Sequence, residues 1–160
     1  MSEMEIDGRD TNGTLKIYPP ALAGILLIAG LFLHLFGWHH HRLVHLHQLL
    51  GLLLVAGGVG LLSSAAALFA SGDTTKNPYG QPTAFVVVMP YTFTRNPMYV
   101  GLTTILTGFA AFFGSGVMLL APIVFVVVID RMVIPQEEGT MERLFGQQYL
   151  DYKSRVRRWL

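Results

Sequence analysis

The chain has 160 residues, 52% of them hydrophobic and only 13% charged, with a formal net charge of +1 and a mean hydropathy of +0.48. It is too apolar and too sparsely charged for a soluble domain of this length, and uncharged stretches of about 20 residues mark an integral helical membrane protein. The absence of cysteine excludes disulfides, thiolate metal sites and cysteine catalysis.

The fold class read from these features is all-α: four transmembrane helices, a long and partly re-entrant cytosolic connection, and a C-terminal interfacial helix. Residues 1–17, with Glu3, Glu5, Asp7 and Asp10, read as a flexible cytosolic tail rather than the basic leader of a signal peptide, so no cleavage is expected. Residues 18–160 then form a single transmembrane domain. Tyr18-Pro19-Pro20 opens a first span over 21–36, because a helix start does not need the N–H that proline lacks. A short loop through Trp38, His39, His40, His41 and Arg42 leads to a second span, 46–70. Gly51, Gly57, Gly58 and Gly60 would let that helix approach others closely in lipid, so it is expected to pack centrally.

Residues 71–97 are a connection punctuated by Pro78, Gly80, Pro82 and Pro90. Within it, residues 84–89 are apolar but too few to cross a bilayer, and are expected to lie on the surface or re-enter. The third and fourth spans, 98–113 and 117–134, are joined by Gly114-Ser115-Gly116. Their 16 and 18 residues extend roughly 24 to 27 Å, nearly a hydrocarbon core. The polar clusters at their outer ends, Arg95-Asn96-Pro97-Met98-Tyr99-Val100-Gly101 and Pro135-Gln136-Glu137-Glu138, must therefore meet at one membrane surface. Over 141–160 an apolar stripe at helical spacing runs beside Arg143, Lys153, Arg155, Arg157 and Arg158, the profile of an interfacial helix on an anionic leaflet.

Four spans put both termini on one side. Of the 11 lysines and arginines, only Arg42 falls on the opposite side; Arg9, Lys16, Lys76, Arg95, Arg131, Arg143, Lys153, Arg155, Arg157 and Arg158 share the side of the termini. The positive-inside rule makes that side cytosolic, in a cytoplasmic or other inner membrane.

At the hairpin mouth, Asn96 reads as a helix cap and Pro97 as the first helical residue. Arg95 is then either an interfacial anchor or a group that holds a carboxylate or phosphate. Gly101 leaves room one turn into the helix. Glu137 and Glu138, taken to follow a helix-ending Pro135, are either solvated charges or partners for something cationic or rich in hydroxyls, since a helix C-terminus disfavours anions. Asp130 and Arg131 are either a functional intramembrane pair or interfacial charges.

The segments RNPMYVG and PQEEGTMERLFGQQYLDYKSRVRRW resemble the isoprenylcysteine carboxyl methyltransferase and phospholipid methyltransferase superfamily of integral membrane enzymes. Its members show R-[HN]-P-x-Y-x-G, a downstream Glu-Glu pair and a tail of the form F-G-x-x-Y-x-x-Y-x-x-x-V. Pro90-Tyr91 is similar to its G-P-[YF] element, with Met89 standing where that element has glycine. The resemblance covers roughly residues 78–160. It implies an S-adenosylmethionine-dependent methyltransferase acting on a lipophilic or membrane-partitioned acceptor: an isoprenylcysteine-type carboxylate, a phospholipid amine or a thiol. It also implies a cofactor site formed by Pro90, Tyr91, Arg95, Asn96, Pro97, Tyr99, Gly101, Glu137 and Glu138, with Arg95 and Tyr99 at the chemistry and Tyr149, Tyr152 and Arg155 closing the pocket. The implied partners are the bilayer and a small lipophilic substrate, with no nucleic acid; the oligomeric state stays open, and no metal is required.

A rival reading rests on the six histidines, His34, His39, His40, His41, His45 and His47, which near facing helix ends could hold a transition metal or a haem in a non-catalytic four-helix protein or scaffold. The charge distribution puts them on the far side from the motif cluster.

Overall fold

The structure, a computed structural model, describes residues 17–36, 45–70 and 87–160, whose regular elements are all helices, with no strand among these residues. Helices α1 (Pro19–Phe36), α2 (His45–Ala70) and α3 (Pro97–Phe112) are followed by a rod that runs unbroken from Val117 to Phe145. The rod comprises a 3-10 turn (Val117–Leu119), α4 (Leu120–Val128), a π turn (Ile129–Val133) and α5 (Ile134–Phe145), and α6 (Gln147–Arg155) closes the series. Three helices, Pro19–Phe36, Leu46–Leu68 and Val117–Phe145, are long and apolar enough to cross a membrane; the apolar Pro97–Phe112 is shorter. Their outer faces carry exposed Ile25, Ile28, Phe32, Leu53, Ile123 and Val127, more apolar surface than a monomer in water leaves bare. Of the expected termini and loops, 1–16, the histidine loop 37–44 and 71–86 lie outside the described residues. The described end of the proposed re-entrant segment is a pair of turns, with Tyr91 N–H donating to Val88 O at 2.8 Å and Phe93 N–H to Pro90 O at 3.2 Å.

The expectation that α2 packs centrally is corrected: α3 is the central helix, touching α1, α2 and α4, while α2 packs chiefly along α3. The glycines show how the two helices pair, because two of those on α2 face α3. Gly51 and Gly58 on α2 are seven residues apart, as are Gly101 and Gly108 on α3, so each pair recurs on one face after two turns. A Cβ built on Gly58 would lie 2.7 Å from Gly101 O, and one on Gly51 would lie 2.7 Å from Gly108 O, so the two antiparallel backbones touch. Gly57 and Gly60 have nothing within 4 Å of such a Cβ. Gly58→Val is therefore expected to cost about 1–3 kcal/mol through forced separation of the helices, whereas the neighbouring Gly57→Val should stay within about 0.5 kcal/mol. Thermal unfolding of both variants in detergent checks this; equal effects would contradict the assigned face.

The hairpin turn folds as the sequence implies. Ser115 N–H donates to Ala110 O and Gly114 N–H to Ala111 O, both at 3.0 Å, which closes α3 with Gly114 in the left-handed region at φ +58°. Below it the core cluster of Ala23, Tyr99, Leu102, Leu106, Ala121, Phe125, Ile129 and Ile134 ties α1, α3 and the rod together.

Two expectations about the far end are corrected. Pro135 does not end the fourth helix. It sits in the first turn of α5, directly after the π turn, and the helix continues to Phe145. Proline lacks the N–H for an i→i−4 bond and its ring collides with that carbonyl; the wider π turn relieves both demands, so the rod bends its hydrogen-bond ladder instead of stopping. Nor is 141–160 one interfacial helix. Gly146, at φ +53°, breaks it between α5 and α6, and at Val156, itself extended, the chain leaves the helix.

Candidate active site

The mouth of the hairpin is assembled by the start of α3, the start of α5, and the non-helical C-terminal strap 156–160. Pro97 occupies the first turn of α3, and Asn96 O accepts from Tyr99 N–H and Val100 N–H, both at 3.0 Å. The Asn96 side chain does not cap the helix, a correction to the sequence reading. Its Nδ2 donates to Arg158 O at 2.9 Å, and Thr94 Oγ1 donates to the same carbonyl at 3.1 Å. Arg95 N–H donates to Arg157 O at 2.9 Å. The loop before α3 is thus stitched to the strap by its backbone and its small polar side chains, which satisfies groups that burial would otherwise leave unpaired.

Arg95 and Glu138 meet beneath this seam. Arg95 Nη2 lies 3.3 Å from Glu138 Oε1, and the two side chains are 10% and 7% exposed. Glu138 also receives Arg158 on both oxygens, Nε to Oε1 at 3.2 Å and Nη2 to Oε2 at 2.9 Å, in the bidentate geometry that favours arginine. Lys153 Nζ stands 3.4 Å from Glu138 Oε2 and 2.7 Å from Glu142 Oε1. Arg158 Nη1 reaches Asp130 Oδ1 at 3.2 Å, and Trp159 Nε1 donates to the same oxygen at 2.9 Å. The three cations Arg95, Lys153 and Arg158 and the three carboxylates Asp130, Glu138 and Glu142 balance within the network. Two nitrogens of Arg95, Nε and Nη1, are buried with no hydrogen-bond partner. A buried guanidinium with unused donors is costly.

Glu137 stands apart from that network. Its Oε1 accepts from the Tyr99 hydroxyl at 2.6 Å, and the residue remains exposed. Tyr152 donates its hydroxyl to Tyr91 O at 2.8 Å, so α6 is fastened over the connection that enters α3. Tyr149 and Tyr152 are both buried, with ring centroids 5.9 Å apart. Burial, and next the Glu137 carboxylate, pushes the Tyr91 phenol up to about 12; burial, and next Tyr149, does the same for Tyr152. Burial and then Glu138 raise Tyr149 as well. These phenols remain protonated donors across the physiological range.

The structure brings Tyr91, Arg95, Tyr99, Glu137, Glu138, Tyr149 and Tyr152 together, with Asn96 and Pro97 framing the helix start. Two of the sequence candidates fall outside. Gly101 faces α2, where a Cβ would lie 2.9 Å from Gly58 O, so its missing side chain admits a helix and leaves no room for a ligand. Arg155 is exposed on α6, its Nε donating to Asp151 O at 3.2 Å. The arginine that enters is Arg158, which sequence reasoning missed; the unexplained Asp130 within an apolar run was the available signal, because an intramembrane carboxylate calls for a cation. Among the described residues no group of three or more histidines and carboxylates is placed to hold a metal ion. His34 and His47 lie beside Phe113 and Gly114, at the other end of α3, and His39, His40 and His41 lie outside the described residues.

Comparison with known proteins adds to this geometry. A Haemophilus influenzae protein described only as uncharacterized is 40% identical over 63 residues, 39% of this chain and the whole of that protein. No solved structure matches the chain. The sequence model of the phospholipid methyltransferase family matches residues 46–148, from the start of α2 to the start of α6, and includes Arg95, Tyr99, Glu137 and Glu138. With that match over more than half its length, the chain belongs to the phospholipid methyltransferase family.

Proposed function

We propose that this chain is an S-adenosylmethionine-dependent methyltransferase of the membrane that methylates a lipophilic or membrane-partitioned acceptor, with an oxygen, nitrogen or sulfur nucleophile. Four spans, the shorter α3 counted as the third of them, would place both termini and the hairpin mouth on the cytosolic side. One observation carries the reading beyond the family: Arg95 keeps two buried nitrogens without partners beside a carboxylate that already neutralises its charge. The carboxylate of the cofactor's amino-acid end offers acceptors of the kind those donors lack.

Bound there, the cofactor would supply an electrophilic methyl on a sulfonium, whose departure as a thioether needs no acid. The chain's own part is then positioning and exclusion of water. Arg95 holds a carboxylate. Glu138 orients Arg95. Glu137, steadied on Oε1 by Tyr99, offers its other oxygen to hydroxyl or ammonium donors. Tyr149 and Tyr152 close the mouth with protonated, half-apolar rings.

The activity is tested by incubating the purified protein with methyl-labelled S-adenosylmethionine and, separately, a prenylated cysteine, phosphatidylethanolamine and a lipophilic thiol. Label in at least one acceptor is expected; label in none would count against the assignment. Sidedness is tested independently. Reporter fusions after Gly37 and Gly114 should report the outside and fusions after Gly72 and Leu160 the cytosol, and a cytosolic signal at Gly114 would invert the proposed orientation.

A further inference from the structure

The π turn holds Asp130, and Asp130 reaches the mouth from the far side of the strap, through Arg158 and Trp159, without touching Arg95 or Glu138. Asp130 and Glu138 are eight residues apart. In a regular α-helix eight residues turn about 80° past two full turns, so two such carboxylates diverge. A π turn takes up an extra residue, so the pair behaves as if about seven apart and returns to within roughly 20° of one face. The distances agree: one guanidinium, that of Arg158, holds Asp130 Oδ1 through Nη1 at 3.2 Å and Glu138 Oε2 through Nη2 at 2.9 Å.

Arg158 and its neighbour set Arg95 from two directions. Through the backbone, Arg157 O accepts the Arg95 N–H, and Arg158 O accepts from Thr94 and Asn96 on either side of it. Through the side chain, Arg158 grips both oxygens of Glu138, whose Oε1 faces Arg95 Nη2. What pins the strap to the rod at this point is Asp130, with Arg158 and Trp159 both on its Oδ1. The Asp130–Arg158 pair is about one-third exposed on each side, and pairs so exposed add little to stability. Its consequence is geometric.

We infer that Asp130 is a positioning residue for Arg95, acting through Arg158 and Glu138, and that the π turn serves to put it there. This rests on the assignment of Arg95 to the cofactor carboxylate. The test is a double-mutant cycle read by calorimetric titration with S-adenosylhomocysteine: unaltered protein, Asp130→Ala, Arg95→Lys and the double variant. Asp130→Ala is expected to weaken binding about tenfold in the Arg95 background and by less than about twofold once Arg95 is lysine, because the effect travels through the guanidinium. Equal losses in both backgrounds, or no loss in either, would overturn the inference while leaving the binding assignment intact. No binding by the unaltered protein would instead remove the assignment and the inference together. Trp159→Phe, which removes the indole donor to Asp130 while keeping an aromatic ring against the core, gives the same cycle a second entry if Asp130→Ala fails to fold.

Discussion

Glu138→Gln is expected to destabilise the protein by about 3 kcal/mol or more, the lower end of the cost of leaving a buried charge without its partner. The cost is set by which cations can escape to water. Arg158 and Lys153 have side chains 33% and 36% exposed and can rehydrate, whereas Arg95 is 10% exposed and cannot. Glutamine keeps the size of the side chain and one acceptor, so packing is unchanged and the loss reports the charge. The matched control is Glu142→Gln. It breaks a shorter contact, 2.7 Å to Lys153, but between partners more than one-third exposed, and should cost about 0–1 kcal/mol. Chemical or thermal unfolding in detergent should separate the two variants clearly. Similar losses for both would mean that Glu138 is solvated and that the buried network around it does not exist.

Glu137→Gln should behave in the opposite manner, with near-normal melting and a binding defect. It accepts from Tyr99 at 2.6 Å, but the residue as a whole is exposed and lies outside the ion-pair network, so removing its charge leaves the buried ion pairs of the fold intact. If its second oxygen takes a charge-assisted hydrogen bond from bound cofactor, removing the charge weakens binding by about 1.5–3 kcal/mol, roughly 10- to 150-fold. Arg95→Lys makes the complementary test. The ammonium preserves a cation beside Glu138, but it loses the planar donor array to which Nε and Nη1 belong. A loss of the same order in S-adenosylhomocysteine affinity is expected, with folding retained. Unchanged affinity in both variants would remove the mouth from consideration as the cofactor site.

Much of the architecture was legible because it rests on local rules. Tyr18-Pro19-Pro20, Asn96-Pro97 and Gly114-Ser115-Gly116 mark helix ends by backbone chemistry alone, and the structure begins α1 at Pro19, begins α3 at Pro97 and turns at Gly114. The meeting of Tyr99 with Glu137 and of Arg95 with Glu138 followed from two apolar runs of similar length joined by a tight turn. The rest depends on register between elements. Pro135 carries a strong local signal to stop, but the π turn directly before it lets the helix continue. Arg155 and Arg158 lie on one basic tail, and nothing in its composition says that the chain leaves the helix at Val156 and so delivers Arg158 to the mouth. Gly101 is a small residue that serves a ligand or a helix equally well until the facing Gly58 is known.

The central claim is that the hairpin mouth binds S-adenosylmethionine. Its most direct test is to follow the melting temperature of the unaltered protein in detergent as S-adenosylhomocysteine is added, with calorimetry on the same sample. A ligand that binds only the folded chain at 100 times its dissociation constant adds about 2.7 kcal/mol. A saturable heat and a melting temperature that climbs with ligand concentration are therefore expected. No heat and an unmoved melting temperature up to millimolar ligand would contradict it.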